Sequence, residues 1–309
     1  MRRPAELVLG SVQLGLAYGA ANRTGKPSRG AACRLVSRAV EAGVTKFDTA
    51  RAYGDAEERL GEALRTRKAV RTITKLSPLS ELAQHASPRE VRAAVDASID
   101  ASLYALRKPH IDCLLLHRAE HMTAFGGQVW ERLIERLEDG TVLSLGVSVQ
   151  DAQEAMAALD CPDVRHMQLP FNILDWRWSE AGVVDRIRRR TQVTIHARSV
   201  FLQGILAAGD PGIWPAIEGV DAGALVTLLE DIAREFGREN VADLCLAYAR
   251  GQDWIDGIVV GMETESQLEE NLRLFVRPPL AAADCAGIAR RIPRLPEALL
   301  NPAKWPRMN

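Results

Sequence analysis

Residues 44–64 read VTKFDTARAYGDAEERLGEAL and contain a complete strand–loop–helix unit. The segment Val44–Asp48 is predicted as a short strand, and Glu57–Leu64 as the helix that follows its loop. A second helix is predicted just upstream, because apolar residues recur at helical spacing from Ser28 until Gly43 ends the pattern. Strand and helix therefore alternate on both sides of this stretch, which is typical of a parallel sheet connected by helices.

The same alternation extends over most of the chain. Ser87 and Glu90 form a predicted capping box with Pro88 at the first helical position, and Thr264 is predicted to cap the helix after the last strand. Most of the strands are apolar on both faces, as a parallel sheet covered by helices requires. The predicted strands are Leu7–Val12, Val44–Asp48, Thr72–Leu76, Ile111–His117, Val142–Val149, Val164–Leu169, Gln192–Arg198 and Ile258–Gly261.

Eight such units in 309 residues predict an α/β fold, a (β/α)8 TIM barrel whose active site lies at the C-terminal strand ends. We expect one barrel domain over residues 1–309, with a C-terminal helix and tail at about 280–309. A doubly wound open sheet is the alternative, but the glycines at 10, 15 and 19 do not match the G-x-G-x-x-G turn. Gly204–Gly223 is the longest segment without a pattern.

The composition excludes several classes of protein. With 39 basic and 40 acidic residues there is no basic excess for binding nucleic acid, and no run of about 18 apolar residues predicts a membrane span. The five cysteines form no C-x-x-C pair, so neither a disulfide framework nor a metal cluster is expected. These features predict a cytoplasmic protein without a metal.

Four polar residues fall at neighbouring strand ends, where a parallel barrel places its chemistry. Asp48 ends the second strand, Tyr53 follows in its loop, Lys75 ends the third and His117 the fourth. Each alone has an ordinary structural explanation, but together they could supply a general acid, its activator and an orienting group. An alternative enzyme is a Schiff-base aldolase using Lys75, which would leave the Asp48–Tyr53 pairing unexplained.

Two segments make the sequence recognisable. Phe47–Gly61, FDTARAYGDAEERLG, closely resembles the aldo-keto reductase signature, and Leu9–Gly19, LGSVQLGLAYG, resembles its upstream segment. Thr74-Lys75 and Leu114–Arg118 fall where that family keeps its lysine and histidine. The resemblance extends from about residue 7 to residue 271 and implies a (β/α)8 barrel, which agrees with the strand count.

The resemblance implies reversible reduction of an aldehyde or ketone by hydride transfer from a nicotinamide cofactor. Tyr53 would be the general acid, although a free tyrosine with a pKa near 10 is a poor acid at neutral pH. The Lys75 ammonium would favour the phenolate, Asp48 would hold that ammonium, and His117 would orient the substrate oxygen.

The resemblance also implies the cofactor contacts. Two positions depart from the family, since Val149 replaces an asparagine and Arg198 stands where a tyrosine often stacks on the nicotinamide. The resemblance favours NADP(H), with NAD(H) as the alternative, but Gly261 and Gln267 supply no cation for a 2′-phosphate and Glu263 adds a negative charge. The implied contacts are Val12, Gln13, Asp48, Ser148, Gln168, Arg198, Ser199, Phe201, Gln203, Gly204, Gly261, Glu265, Gln267 and Asn271.

The substrate is expected to be a small carbonyl compound, with Tyr18, Trp176 and Trp178 as candidate pocket residues. Two alternatives use the same resemblance. One is an NAD-preferring sugar or alcohol dehydrogenase with the same four residues, and the other is a redox-sensing nucleotide-binding subunit without turnover. The sequence does not predict an oligomeric state.

Overall fold

The computed structural model describes residues 5–67 and 69–306. Within them, eight parallel strands pair in chain order and close into a barrel, because β8 returns to pair with β1. The predicted (β/α)8 fold is therefore confirmed. The strands are β1 Glu6–Gly10, β2 Lys46–Asp48, β3 Arg71–Lys75, β4 Cys113–Leu116, β5 Leu145–Ser148, β6 His166–Pro170, β7 Thr194–Arg198 and β8 Gly257–Gly261.

Helices follow the strands and surround the barrel. The capping box of Ser87 and Glu90 and the cap at Thr264 are both present, as predicted. The α-helices are α1 Val12–Gly15, α2 Arg29–Glu41, α3 Ala56–Ala63, α4 Pro88–Leu106, α5 Gln128–Glu138, α6 Ala152–Asp160, α7 Arg177–Glu180, α8 Val183–Arg189, α9 Ile205–Ala208, α10 Ala222–Glu235, α11 Val241–Arg250, α12 Glu265–Phe275, α13 Ala282–Arg291 and α14 Glu297–Leu300. Short 3-10 turns lie at Ala119–Met122, Ala124–Gly127, Leu202–Gly204, Pro211–Ile213 and Pro302–Lys304.

The structure shortens several predicted strands. Val12, expected in the first strand, lies in α1, and the fourth strand spans Cys113–Leu116 only. The predicted strands ran too far because the flanking residues are also apolar, and apolar character alone does not mark where hydrogen-bonded pairing stops. The segment Gly204–Gly223, which has no sequence pattern, contains α9 and the 3-10 turn Pro211–Ile213.

Alternate residues of each strand point outward to the helices or inward to the barrel axis. Outward residues such as Leu9, Phe47 and Leu116 belong to one hydrophobic core, whose members come from along the chain between Ala5 and Leu300. Inward residues form a separate small cluster that fills the barrel. That cluster consists of Val8, Ile73, Cys113 and Leu115.

The C-terminal helix expected at about 280–309 corresponds to α13, which is followed by α14 and the last 3-10 turn; residues 307–309 of the tail lie outside the described part. The tail contacts the body of the protein, since the Trp176 indole N–H donates to the Leu295 carbonyl oxygen at 3.0 Å. No helix among the described residues has the length and apolar content needed to cross a membrane.

Candidate active site

The four polar residues at the strand ends come together in the folded chain. Asp48 is the last residue of β2 and Lys75 the last of β3, and these strands pair directly. His117 follows the end of β4, which pairs with β3 on the other side. Tyr53 lies in the loop after β2. Parallel pairing thus sets the four side chains side by side at the C-terminal end of the barrel.

Asp48 and Lys75 form a buried ion pair. The Lys75 Nζ donates to Asp48 Oδ1 at 2.7 Å and to the Thr49 carbonyl oxygen at 2.9 Å. The two side chains are only 1% and 4% exposed. The Gln168 side-chain amide donates to the other carboxylate oxygen, Oδ2, at 2.7 Å. Both Asp48 oxygens are therefore satisfied, and the lysine is fixed in one position.

The charge state of Lys75 follows from two opposing effects. Burial disfavours the ammonium and lowers its pKa, but the Asp48 carboxylate and the Tyr53 hydroxyl, by charge and hydrogen bonding, raise that pKa by more. Lys75 is therefore an ammonium at neutral pH. Its Nζ lies 4.9 Å from the centroid of the Tyr53 ring, so a positive charge is held beside the phenol.

His117 faces Tyr53 across an edge-to-face ring contact, with centroids 5.8 Å apart. Burial, assisted by the charges of Lys75 and Arg198, lowers the pKa of His117 to about 3. The imidazole is therefore neutral at physiological pH and can donate one hydrogen bond. Its buried Nδ1 has no hydrogen-bond partner in the described part of the protein.

The loop that carries Tyr53 is anchored by residues for which the sequence suggested no role. Glu57 is fully buried; it accepts a hydrogen bond from Thr74 Oγ1 at 2.6 Å and pairs with the Arg51 guanidinium. Gly15 approaches the same loop so closely that a Cβ there would lie 1.8 Å from the Tyr53 carbonyl oxygen. The signature stretch contains Glu57, but only the fold shows what the carboxylate contacts.

A cavity of about 970 Å³ opens beside Tyr53 and His117 and extends to β8 and α12. Most of the side chains predicted for cofactor or substrate line it. These are Val12, Gln13, Tyr18, Asp48, Ser148, Arg198, Ser199, Phe201, Gln203, Gly204, Gly261, Gln267 and Asn271. Charged residues that the sequence did not assign to the site also line it, and these are Arg118, Glu120, Glu154 and Glu270.

Four of the residues predicted to contact cofactor or substrate do not line this cavity. Gln168 is buried behind it on Asp48, and Glu265 pairs outward with Arg34 at 3.1 Å. The Trp178 indole is 1% exposed and donates to the Pro170 carbonyl oxygen at 2.7 Å. Trp176 donates to the C-terminal segment, as described above. Both tryptophans are packing residues, Trp176 at the start of α7 and Trp178 within it, and each indole N–H has a carbonyl acceptor.

Arg198 ends β7 but reaches across β6 toward the end of β5. Its Nη2 donates to Gln150 Oε1 at 2.8 Å and to the Val149 carbonyl oxygen at 3.3 Å. The chain then turns sharply, with positive φ at Ser199 and Gln203. The Gln203 carbonyl oxygen accepts the Ala21 backbone N–H at 3.2 Å, so the loops after β7 and β1 meet at the edge of the cavity.

Comparisons with known proteins give consistent findings. The model of the Aldo/keto reductase family matches residues 6–291. The chain is 23% identical over 291 residues to L-glyceraldehyde 3-phosphate reductase of Escherichia coli K12, covering 84% of this chain and 82% of the relative. The O157:H7 protein of the same name is 24% identical over 290 residues, with the same coverage.

A solved structure shares the architecture. The holo form of aldo-keto reductase AKR11C1 from Bacillus halodurans superposes with a TM-score of 0.74 at 21% identity. The likeness covers 94% of this chain and 93% of that one. At this identity the superposition shows the shared fold alone.

Proposed function

This chain belongs to the aldo/keto reductase family and is an oxidoreductase, and from that premise we propose that it reversibly reduces an aldehyde or ketone to an alcohol with NAD(P)H. The observation that carries the proposal is the arrangement of Tyr53, His117 and the Lys75–Asp48 pair beside one cavity. The substrate is a small carbonyl compound, because the cavity must also accept the cofactor.

The proton is the part of the reaction that this chain supplies. Tyr53 is the general acid whose O–H donates to the carbonyl oxygen as the carbon is reduced. The resulting phenolate gains charge stabilisation from the Lys75 ammonium, which Asp48 holds in place. Neutral His117 donates a hydrogen bond to the same oxygen and orients it. A bound nicotinamide supplies the hydride.

The cavity suits a dinucleotide in three respects. It runs from the Tyr53 end of the barrel to α12, and the glycines that end β1 and β8, Gly10 and Gly261, both line it. Gln13 Oε1 is a buried acceptor without a partner among the described residues. Asn271, a residue that is 9% exposed, lines the cavity beside α12, and its side chain likewise has no hydrogen-bond partner among the described residues. Gln13, Ser148, Arg198 and Asn271 would hold the cofactor.

The Schiff-base alternative fits poorly. Amine nucleophiles of that kind are activated by a lowered pKa, because only the neutral amine attacks a carbonyl. The pKa of Lys75 is raised, and its Nζ donates to Asp48 and to the Thr49 carbonyl oxygen. Borohydride treatment in the presence of substrate is therefore expected to leave the mass of the protein unchanged.

Reduction of a carbonyl panel tests the proposed function. The panel contains aliphatic, aromatic and sugar aldehydes, ketones, and L-glyceraldehyde 3-phosphate, since two relatives are named for that reduction. Consumption of NADH and of NADPH is followed separately by absorbance. We expect turnover of at least one class of carbonyl. Tight cofactor binding without any turnover would instead favour a redox-sensing subunit, and absence of cofactor binding would contradict both.

A further inference from the structure

The end of the cavity beside β8 and α12 is acidic. Glu263, in the turn between β8 and α12, and Glu270, on α12, both line it. Among the described residues that line the cavity, the cationic side chains are Arg118 and Arg198. Arg118 follows β4 and lies 3.5 Å from Glu120, whereas Arg198 points toward the end of β5. Neither guanidinium is directed toward α12.

Two arginines of α2 pair with carboxylates of α12. Arg34 pairs with Glu265 at 3.1 Å and Arg38 pairs with Glu269 at 2.8 Å. Both of these carboxylates lie outside the described lining of the cavity. The cavity face of the helix therefore keeps its negative charge.

Glu263 is held by an amide. Gln267 Nε2 donates to Glu263 Oε1 at 3.0 Å, and Gln267 Oε1 accepts the Glu263 backbone N–H at 2.8 Å. A neutral partner fixes the position of the carboxylate without neutralising it. A ligand at this end of the cavity therefore meets an immobilised anion.

The N-terminus of α12 would ordinarily favour a phosphate, because its first N–H groups lack partners. Here several donors are already used. Thr264 Oγ1 accepts the Gln267 N–H at 3.2 Å, and Gln267 Oε1 accepts from the N–H groups of both Glu263 and Thr264. The capping box thus removes part of the attraction that the helix would offer to an anion.

Asn271 is a second polar group at this end of the cavity. The residue is more than nine-tenths buried, it lines the cavity, and its side-chain amide has no described partner. The amide therefore keeps its donor and its acceptor free for a ligand in the cavity. Donor and acceptor together suit the edge of a nucleobase placed beside the carboxylate of Glu263.

We propose that Glu263 makes this chain select NAD(H) over NADP(H). The carboxylate accepts hydrogen bonds from the adenosine ribose hydroxyls of NAD(H), as an acidic residue does in other dinucleotide sites, and repels the 2′-phosphate of NADP(H). The charge of the cavity thus outweighs the expectation of NADP(H) that rested on family resemblance. This inference rests on the proposed function, because it assumes that the cavity binds a nicotinamide dinucleotide.

Direct binding of NADH and NADPH tests the inference without reference to turnover. Dissociation constants are measured by isothermal titration calorimetry for the wild type, for Glu263→Lys and for Glu269→Lys. The control carries the same charge change on the same helix, but Glu269 faces Arg38 outside the cavity. We expect the wild type to bind NADH at least tenfold more tightly, Glu263→Lys to reverse the order, and Glu269→Lys to keep the wild-type ratio within about twofold, where tenfold is 1.4 kcal/mol.

Tighter or equal binding of NADPH by the wild type would overturn the selection and leave the proposed function intact. An equal shift of the ratio in both variants would also overturn it, because a long-range charge effect would then replace a contact. If neither cofactor binds to the wild type, the proposed function fails, and the inference fails with it.

Discussion

Asp48 accepts hydrogen bonds at both carboxylate oxygens, and this double engagement fixes the charge that the site depends on. Without the carboxylate, Lys75 would be a buried cation with only a carbonyl oxygen as acceptor. Asp48 therefore has two roles. It holds the ammonium beside Tyr53, and it makes the burial of that ammonium possible.

Asp48→Asn tests whether this buried ion pair stabilises the fold more than an exposed ion pair does. Removing one partner of a buried pair leaves an uncompensated charge, so we expect the free energy of unfolding in urea to fall by about 3–5 kcal/mol. Glu6→Gln is the matched control, because it breaks a half-exposed pair with Lys46 at the other end of the barrel. The control should change stability by about 1 kcal/mol or less. Equal losses in both variants would contradict this account of Asp48.

The loops after β1 and β2 are the elements that position Tyr53. Glu57, which follows the β2 loop, accepts a hydrogen bond from Thr74 of β3 and so fixes the end of that loop. Gly15 of α1 packs against the loop backbone. The contact of Gly15 requires a residue without Cβ, so the position of the general acid depends on a glycine in a different element.

Gly15→Ala tests this dependence. Its new Cβ would sit 1.8 Å from the Tyr53 carbonyl oxygen, so the loop must move. We expect kcat for carbonyl reduction to fall by about 10- to 100-fold, since small misplacements of catalytic groups are costly. Gly30→Ala in α2 is the control, because its Cβ would meet only the end of the Arg34 side chain, at 3.7 Å. A kcat unchanged in Gly15→Ala would show that Gly15 does not position the loop.

The elements also show what sequence patterns can and cannot predict. Apolar periodicity and caps predicted the eight βα units, because each depends on neighbours in sequence. Asp48, Lys75 and His117 could be predicted to lie together, because each stands at the end of a predicted strand and consecutive parallel strands end side by side at the same edge of the barrel. The role of Glu57 could not be predicted, because its partner Thr74 is 17 residues away. The exclusion of Trp176 and Trp178 from the cavity likewise depends on loop conformation, which leaves no periodic signal.

At the scale of the whole molecule, two histidines lie inside the barrel. His166 of β6 and His196 of β7 make an edge-to-face contact with ring centroids 4.2 Å apart. Burial lowers the pKa of His166 to about 3 and that of His196 well below its usual value. Both rings are therefore neutral in the folded barrel at physiological pH, whereas an unfolded histidine titrates near 6.5.

These two histidines make the folded protein less stable in acid. Well above pH 6.5 both rings are neutral in the folded and in the unfolded state, so they do not change the free energy of unfolding with pH. As the pH falls below 6.5, these histidines bind protons in the unfolded chain but stay neutral in the folded barrel. The free energy of unfolding therefore decreases with pH until about pH 3, where His166 is also protonated in the folded state. At pH 5 the loss from His166 alone is about 2 kcal/mol.

Urea unfolding between pH 7.5 and 5 measures this dependence. We expect His166→Gln, which does not titrate, to have a shallower fall in unfolding free energy than the wild type, whatever its stability at pH 7.5. His85→Gln alters an exposed histidine and should retain the wild-type slope. An identical slope in all three proteins would show that the buried pair does not govern acid stability.

The central claim is that Tyr53 protonates the carbonyl, and Tyr53→Phe tests it most directly. The variant keeps the ring beside Lys75 and His117 but lacks the only O–H that the proposal uses. We measure kcat on the best carbonyl of the panel together with the dissociation constant of the cofactor. The account predicts a fall in kcat of at least about 100-fold with cofactor affinity retained. Turnover at the wild-type rate would contradict it.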